Sequence, residues 1–135
     1  MAMKRLKPEG LPPISEKAFQ SQVIDLAKLF GWRVNHQRPA MSKNGRWITA
    51  TQGHTGFPDL VLAHLERQMV IFAELKSEAG RLTPEQEEWA SVLIDCPGLY
   101  RCWRPSDWLE IERILRGSTG DPDDVESYLG IQRRG

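Results

Sequence analysis

The chain has 135 residues, with 18 basic and 18 acidic side chains, so its formal net charge is zero. That balance excludes a polycation that would coat any polyanion, and it leaves the distribution of charge to carry the information. The length suits one domain with a single core, no apolar run approaches the roughly 20 residues of a membrane span, and the amino terminus lacks a basic-then-apolar signal layout, which together point to a cytoplasmic protein without a membrane partner.

Residues 1–13 carry Lys4, Arg5, Lys7, Pro8, Gly10, Pro12 and Pro13 and read as a flexible basic arm. A helix follows from Ser15 to Gly31, with Phe19, Val23, Leu26 and Phe30 at core spacing and Gly31 as its terminator. Glu16 and Gln20 lie one turn apart on its side. That placement suits a supporting role at a site, although Glu16 just after an N-cap equally suits the helix dipole. Trp32–Gln37 alternates as a first strand. The stretch 38–55 then reads as a long polar loop, with a strand or hairpin at Arg46-Trp47-Ile48-Thr49.

Between Leu26 and Pro58 the chain has no acid, while Lys28, Arg33, Arg38, Lys43 and Arg46 all fall there. A positive stretch of this kind is what phosphate-backbone binding requires, and an ordinary solvated loop accounts equally well for any single member. Trp47 beside Arg46 and Lys43 is an arrangement that stacks on bases or sugars, or else packs on its own sheet. His54, two residues before Gly56, stands near enough to the next strand to touch a substrate phosphate.

Two very apolar strands come next, Leu60-Val61-Leu62 and Val70-Ile71-Phe72-Ala73, joined by the short break His64–Gln68, which predicts a hairpin. Asp59 stands at the start of the first. Glu74 and Lys76 stand at the end of the second, on one face with Phe72, while Ile71, Ala73 and Leu75 point the other way. Charged groups are seldom placed beside buried β-structure unless they pair or bind a metal. Two adjacent carboxylates repel, which raises one pKa unless a hard cation sits between them, and oxygen ligands of this type select Mg²⁺ or Mn²⁺. Lys76 could then orient an attacking water and balance the charge of a pentavalent phosphate. An isolated Glu-x-Lys pair is usually only an ion pair at a strand end; here the preceding Pro-Asp element and the two apolar strands favour the metal site.

Beyond Lys76, Thr83-Pro84-Glu85-Gln86 is a capping box with proline at the first helical position, so Gln86 has a structural explanation of its own. Trp89, Val92 and Leu93 are the predicted buried stripe of that helix, which Pro97-Gly98 ends. Residues 99–104 form a last strand. Ser106 is the predicted cap of a helix that carries Trp108, Leu109, Ile111, Ile114 and Leu115. Residues 117–135, with Asp121, Asp123, Asp124 and Glu126, read as an acidic, loosely ordered tail. Cys96 and Cys102 lack metal-site spacing and read as reduced structural thiols.

Pro58-Asp59 followed by Glu74-Leu75-Lys76 resembles the PD-(D/E)XK nuclease signature. Glu16 with Gln20, the Gly56-Phe57-Pro58-Asp59 form of the first motif, and Gln86 narrow the resemblance to the VRR-NUC group over roughly residues 14–110. The resemblance implies a restriction-endonuclease-like α/β fold for residues 14–116, ordered α-β-β-β-α-β-α with a mixed sheet flanked by helices. It implies Asp59, Glu74 and the Leu75 carbonyl as ligands of Mg²⁺ or Mn²⁺, Lys76 serving the water, and Glu16 and Gln86 completing the site. The implied activity is metal-dependent DNA hydrolysis leaving a 5′-phosphate. Stand-alone members resolve four-way junctions, so a homodimer on branched DNA is expected, with Trp47, Trp103 or Trp108 as exposed interface anchors. Two rivals stand beside this reading: a non-catalytic nucleic-acid-binding module on the same fold, and a sequence-specific restriction-type endonuclease.

Overall fold

The computed structural model describes residues 13–37, 40–41, 44–45, 47–48 and 52–117. Residues 1–12 of the basic arm, residues 118–135 of the acidic tail, and Arg38, Lys43 and Arg46 lie outside the described residues, as does the side chain of Trp47.

Ser15 opens the first helix, α1 (Glu16–Leu29), by accepting a hydrogen bond from Ala18 N–H, and Phe19, Val23 and Ala27 form its buried stripe. Gly31 ends the helical path at φ +89°, a left-handed conformation that favours glycine. Strand β1 (Arg33–His36) follows, then the two-residue strands β2 (Ala40–Met41) and β3 (Trp47–Ile48), which pair with each other inside the long loop. Strands β4 (Leu60–His64) and β5 (Met69–Leu75) form the antiparallel hairpin that the sequence predicts, with Leu60 opposite Ala73 and His64 opposite Met69. Helix α2 (Pro84–Leu93) then crosses to β6 (Leu99–Trp103), which lies parallel to β5, and a short 3₁₀ turn (Pro105–Asp107) leads into α3 (Trp108–Arg116).

The four-stranded sheet runs β1-β4-β5-β6, antiparallel except at its last pair, and three helices flank it. This is the mixed α/β architecture of the restriction-endonuclease-like fold. Its two faces differ in kind. Leu60, Leu62, Ile71, Ala73, Leu75, Leu99 and Trp103 share one face and are fully buried with Phe19 and Val23 of α1 and Ile111 and Leu115 of α3. The opposite face carries Asp59, Glu74 and their neighbours.

Four expectations need correction. Trp103 is 0 % exposed, a core residue and not an interface anchor. Of Trp108, Leu109, Ile111, Ile114 and Leu115, whose apolar face the sequence predicts to close the core, Leu109 is 74 % exposed on the outer side of α3. Helix α2 buries none of its residues, and Val92 is 52 % exposed. Ser106 does not cap α3. Asp107 closes the turn, its carboxylate accepting from Arg104 N–H at 2.8 Å, while Ser106 N–H donates to Glu78.

Candidate active site

The hairpin places its acids by register alone. Leu60 faces Ala73, so the next pair outward is Asp59 and Glu74, and opposed residues of antiparallel strands present their side chains on the same face. Asp59 Oδ2 is held there by Leu75 N–H at 2.8 Å, which ties the first motif to the second through the backbone. Glu74 is only 2 % exposed, the one buried charged side chain among the described residues. Burial first, then the Asp59 carboxylate, pushes its carboxyl up to about 9; Lys76 pulls it down and Glu16 raises it further. Lys76 Nζ stands 3.9 Å from Glu74 Oε2, and its side chain is 12 % exposed.

Gln86 does two things at once. Its Oε1 accepts from Thr83 N–H at 2.9 Å and Thr83 Oγ1 accepts from Gln86 N–H at 3.1 Å, which completes the capping box. Its Nε2 donates to Glu74 Oε2 at 3.1 Å. The amino terminus of α2 therefore faces the carboxylate pair, and the positive end of its dipole favours an anion at the same spot. Gly56 permits this approach: at φ +91°, a Cβ there would meet the Glu85 backbone at 2.7 Å.

The remaining candidates divide. Glu16, exposed in the first turn of α1, lies within electrostatic reach of Glu74, and Gln20 is half-buried one turn on. Arg33 is exposed on β1, opposite Ala63, and therefore on the same sheet face as Asp59 but at the far end of the strand. His54 is exposed and lines a cavity beside α2.

Sequence reasoning passed over several neighbours. Asn35 faces Val61, and Gln37 donates its N–H to the Asp59 carbonyl at 2.8 Å, so both belong to the carboxylate face; their alternation with Val34 and His36 was the available signal. Tyr100 and Cys102 face Phe72 and Glu74 across the β5–β6 pair. Burial first, with Cys102, Glu74 and Asp59 adding, pushes the Tyr100 phenol up to about 12, so it remains a hydrogen-bond donor across the physiological range. Arg104 closes the loop after Lys76, donating to the carbonyls of Ser77 and Gly80 at 2.6 Å each. Nothing local in the sequence marks Tyr100 or Arg104, because parallel partners are set by a crossover and not by a turn.

Among the described residues no three His, Cys, Asp or Glu side chains form a preformed metal cage. Two carboxylates at the mouth of a sheet are instead the sparse oxygen set that suits Mg²⁺, which keeps several waters and shares substrate phosphate oxygens. A buried Glu74 whose charge is opposed by Asp59 fits a divalent cation for the same reason.

A restriction-endonuclease-like sheet with an Asp, a Glu-x-Lys and a helix amino terminus converging at one end defines a nuclease domain of the PD-(D/E)XK type. The VRR-NUC domain model matches residues 21–104, more than half of the chain, and the chain belongs to that family. Nucleases of this type typically use divalent metals. Glu16 and Gln20 fall just ahead of the matched residues. No curated protein and no solved structure matches the chain. Among the described residues no helix is long and apolar enough to cross a membrane.

Proposed function

We propose that the protein is a Mg²⁺- or Mn²⁺-dependent endonuclease that hydrolyses DNA phosphodiester bonds at branched structures such as four-way junctions, working as a homodimer. The observation that carries this reading is the buried Glu74, set against Asp59, hydrogen-bonded by Gln86 and flanked by Lys76 at 3.9 Å. A module that only bound DNA would gain nothing from burying one carboxyl beside another.

Asp59, Glu74 and the Leu75 carbonyl would hold the cation, which supplies Lewis-acid polarisation of the phosphate and charge neutralisation. Lys76 orients the attacking water and offsets the negative charge that builds on the phosphorane. Gln86 fixes the rotamer of Glu74, and the α2 amino terminus favours the phosphate. Water adds to phosphorus as the P–O3′ bond breaks, leaving a 5′-phosphate and a 3′-hydroxyl. Gln20, Arg33, Arg38, Lys43, Arg46, Trp47 and His54 contact DNA, and neutrality of the whole chain leaves this local charge to hold the backbone.

The test is direct. Purified protein is incubated with supercoiled plasmid, a fork, a flap and a four-way junction, each with Mg²⁺, Mn²⁺ or chelator. The reading expects metal-dependent cuts concentrated at the branched substrates; DNA binding without cleavage in any metal would sink it.

A further inference from the structure

Helix α2 leaves a cavity of about 610 Å³ against the loop that leads into Gly56. The loop contributes His54 and Thr55. The helix contributes Glu85, Glu88, Trp89 and Val92, whose spacing of three, four and seven residues puts them on one stripe. Two of its members, Trp89 and Val92, belong to the stripe whose full burial the sequence predicts and the structure does not show. Its size lies within the range of small-ligand sites.

We propose that this cavity seats an unpaired nucleobase of the substrate strand, next to the phosphodiester that is cut; the inference rests on the nuclease reading above. The chemistry of the walls selects a base over a phosphate. Glu85 and Glu88 repel the backbone but accept hydrogen bonds from exocyclic amino groups, and the Trp89 indole offers an aromatic surface to a planar ring. The Trp89 N–H itself is buried with no acceptor among the described residues, so it is the ring, and not this donor, that the cavity presents.

Position points the same way. Gln86, one residue after Glu85, touches Glu74 at 3.1 Å, and Trp89 lies about one helical turn further, a rise of about 5 Å. Phe57 of the first motif packs edge-on to Trp89 with ring centres 4.9 Å apart, so cavity and carboxylates belong to one block. A base inside a regular duplex is paired and stacked and cannot enter. A base at a branch point or distortion can, at little cost, which gives the site a physical means of choosing branched DNA. Adenine, cytosine and guanine carry an exocyclic amino group for Glu85 or Glu88 and are favoured over thymine.

The experiment uses a four-way junction and a flap in which single nucleotides flanking the cut are replaced, one at a time, by an abasic tetrahydrofuran residue. It compares the wild type with Val92→Trp, which fills the cavity from an exposed position, and Glu88→Gln, which changes one wall group and serves if the first variant folds poorly. One abasic position is expected to lower kcat/KM about tenfold or more. Val92→Trp is expected to show the same loss on intact DNA and no further loss on the abasic substrate, and Glu88→Gln to weaken the preference against thymine. Full-rate cutting at every abasic position, or losses that multiply between variant and substrate, overturns the proposal while leaving the nuclease reading intact. A change of oligomeric state in Val92→Trp with abasic DNA cut normally assigns the cavity to a contact between copies, and also overturns it. A wild type that cuts no DNA in Mg²⁺ or Mn²⁺ removes both.

Discussion

At Glu74 the fold holds a carboxyl against its own preference for charge. Its pKa is raised from 4.5 to about 9 by burial and then by Asp59. A group whose folded pKa lies above its unfolded one retains a proton that the unfolded chain has released, so metal-free stability falls as pH rises from about 4.5 to about 9 and levels off beyond. Melting of the metal-free protein should therefore give a higher Tm at pH 5 than at pH 8, and Glu74→Gln should flatten that slope; equal slopes in both proteins would show that Glu74 is not the strained group. Lys76 belongs to the same scale. Lys76→Met keeps the aliphatic stem and deletes the charge, so single-turnover cleavage should slow by about a hundredfold or more with little change in DNA affinity. Equal losses of rate and affinity would make Lys76 a phosphate anchor instead.

Between elements, the contact that matters most is the one without side chains on one side. Gly56 brings the first motif against the first turn of α2, and there Gln86 reaches Glu74. Gly56→Ala combines a strained φ with a clash against backbone, at a cost on the order of 2 kcal/mol and a fall in Tm of about 5–15 °C. Cleavage should fall further than the lost stability explains; a variant with wild-type Tm and rate would show that the approach is not needed. The hairpin that aligns Asp59 with Glu74 was legible in the sequence, because a period of two and a short break fix the register. Tyr100, Cys102 and Arg104 were not, since the partner of β6 depends on how α2 crosses the sheet. The apolar stripe of α2 was legible only in part: Trp89, against Phe57, and Leu93 are half-buried while Val92 is exposed, because spacing shows which residues share a face and not how far another element covers it. Core residues such as Phe19, Val23 and Ile111 could be read because other elements do cover their stripes.

For the whole molecule, the proposed reading gives each chain one site and so one strand cut. A four-way junction has two-fold symmetry, and resolving it takes two such sites facing one side, which is the physical argument for a homodimer. With Trp103 in the core and Trp108 partly buried against it, a dimer would draw its tryptophan anchors from Trp47 or from the exposed part of Trp108. Light scattering should report a dimer on junction DNA, with paired symmetric nicks of little sequence preference; a monomer that leaves junctions untouched would contradict this. Beneath that stands the claim that Asp59 and Glu74 make a metal-dependent site, and one comparison tests it most directly. Single-turnover cleavage of a four-way junction in Mg²⁺ is followed for wild type and for Asp59→Asn, with folding of both confirmed by melting. The account predicts a folded Asp59→Asn protein whose cleavage falls to the level of wild type in chelator; cleavage by Asp59→Asn at the wild-type rate would contradict it.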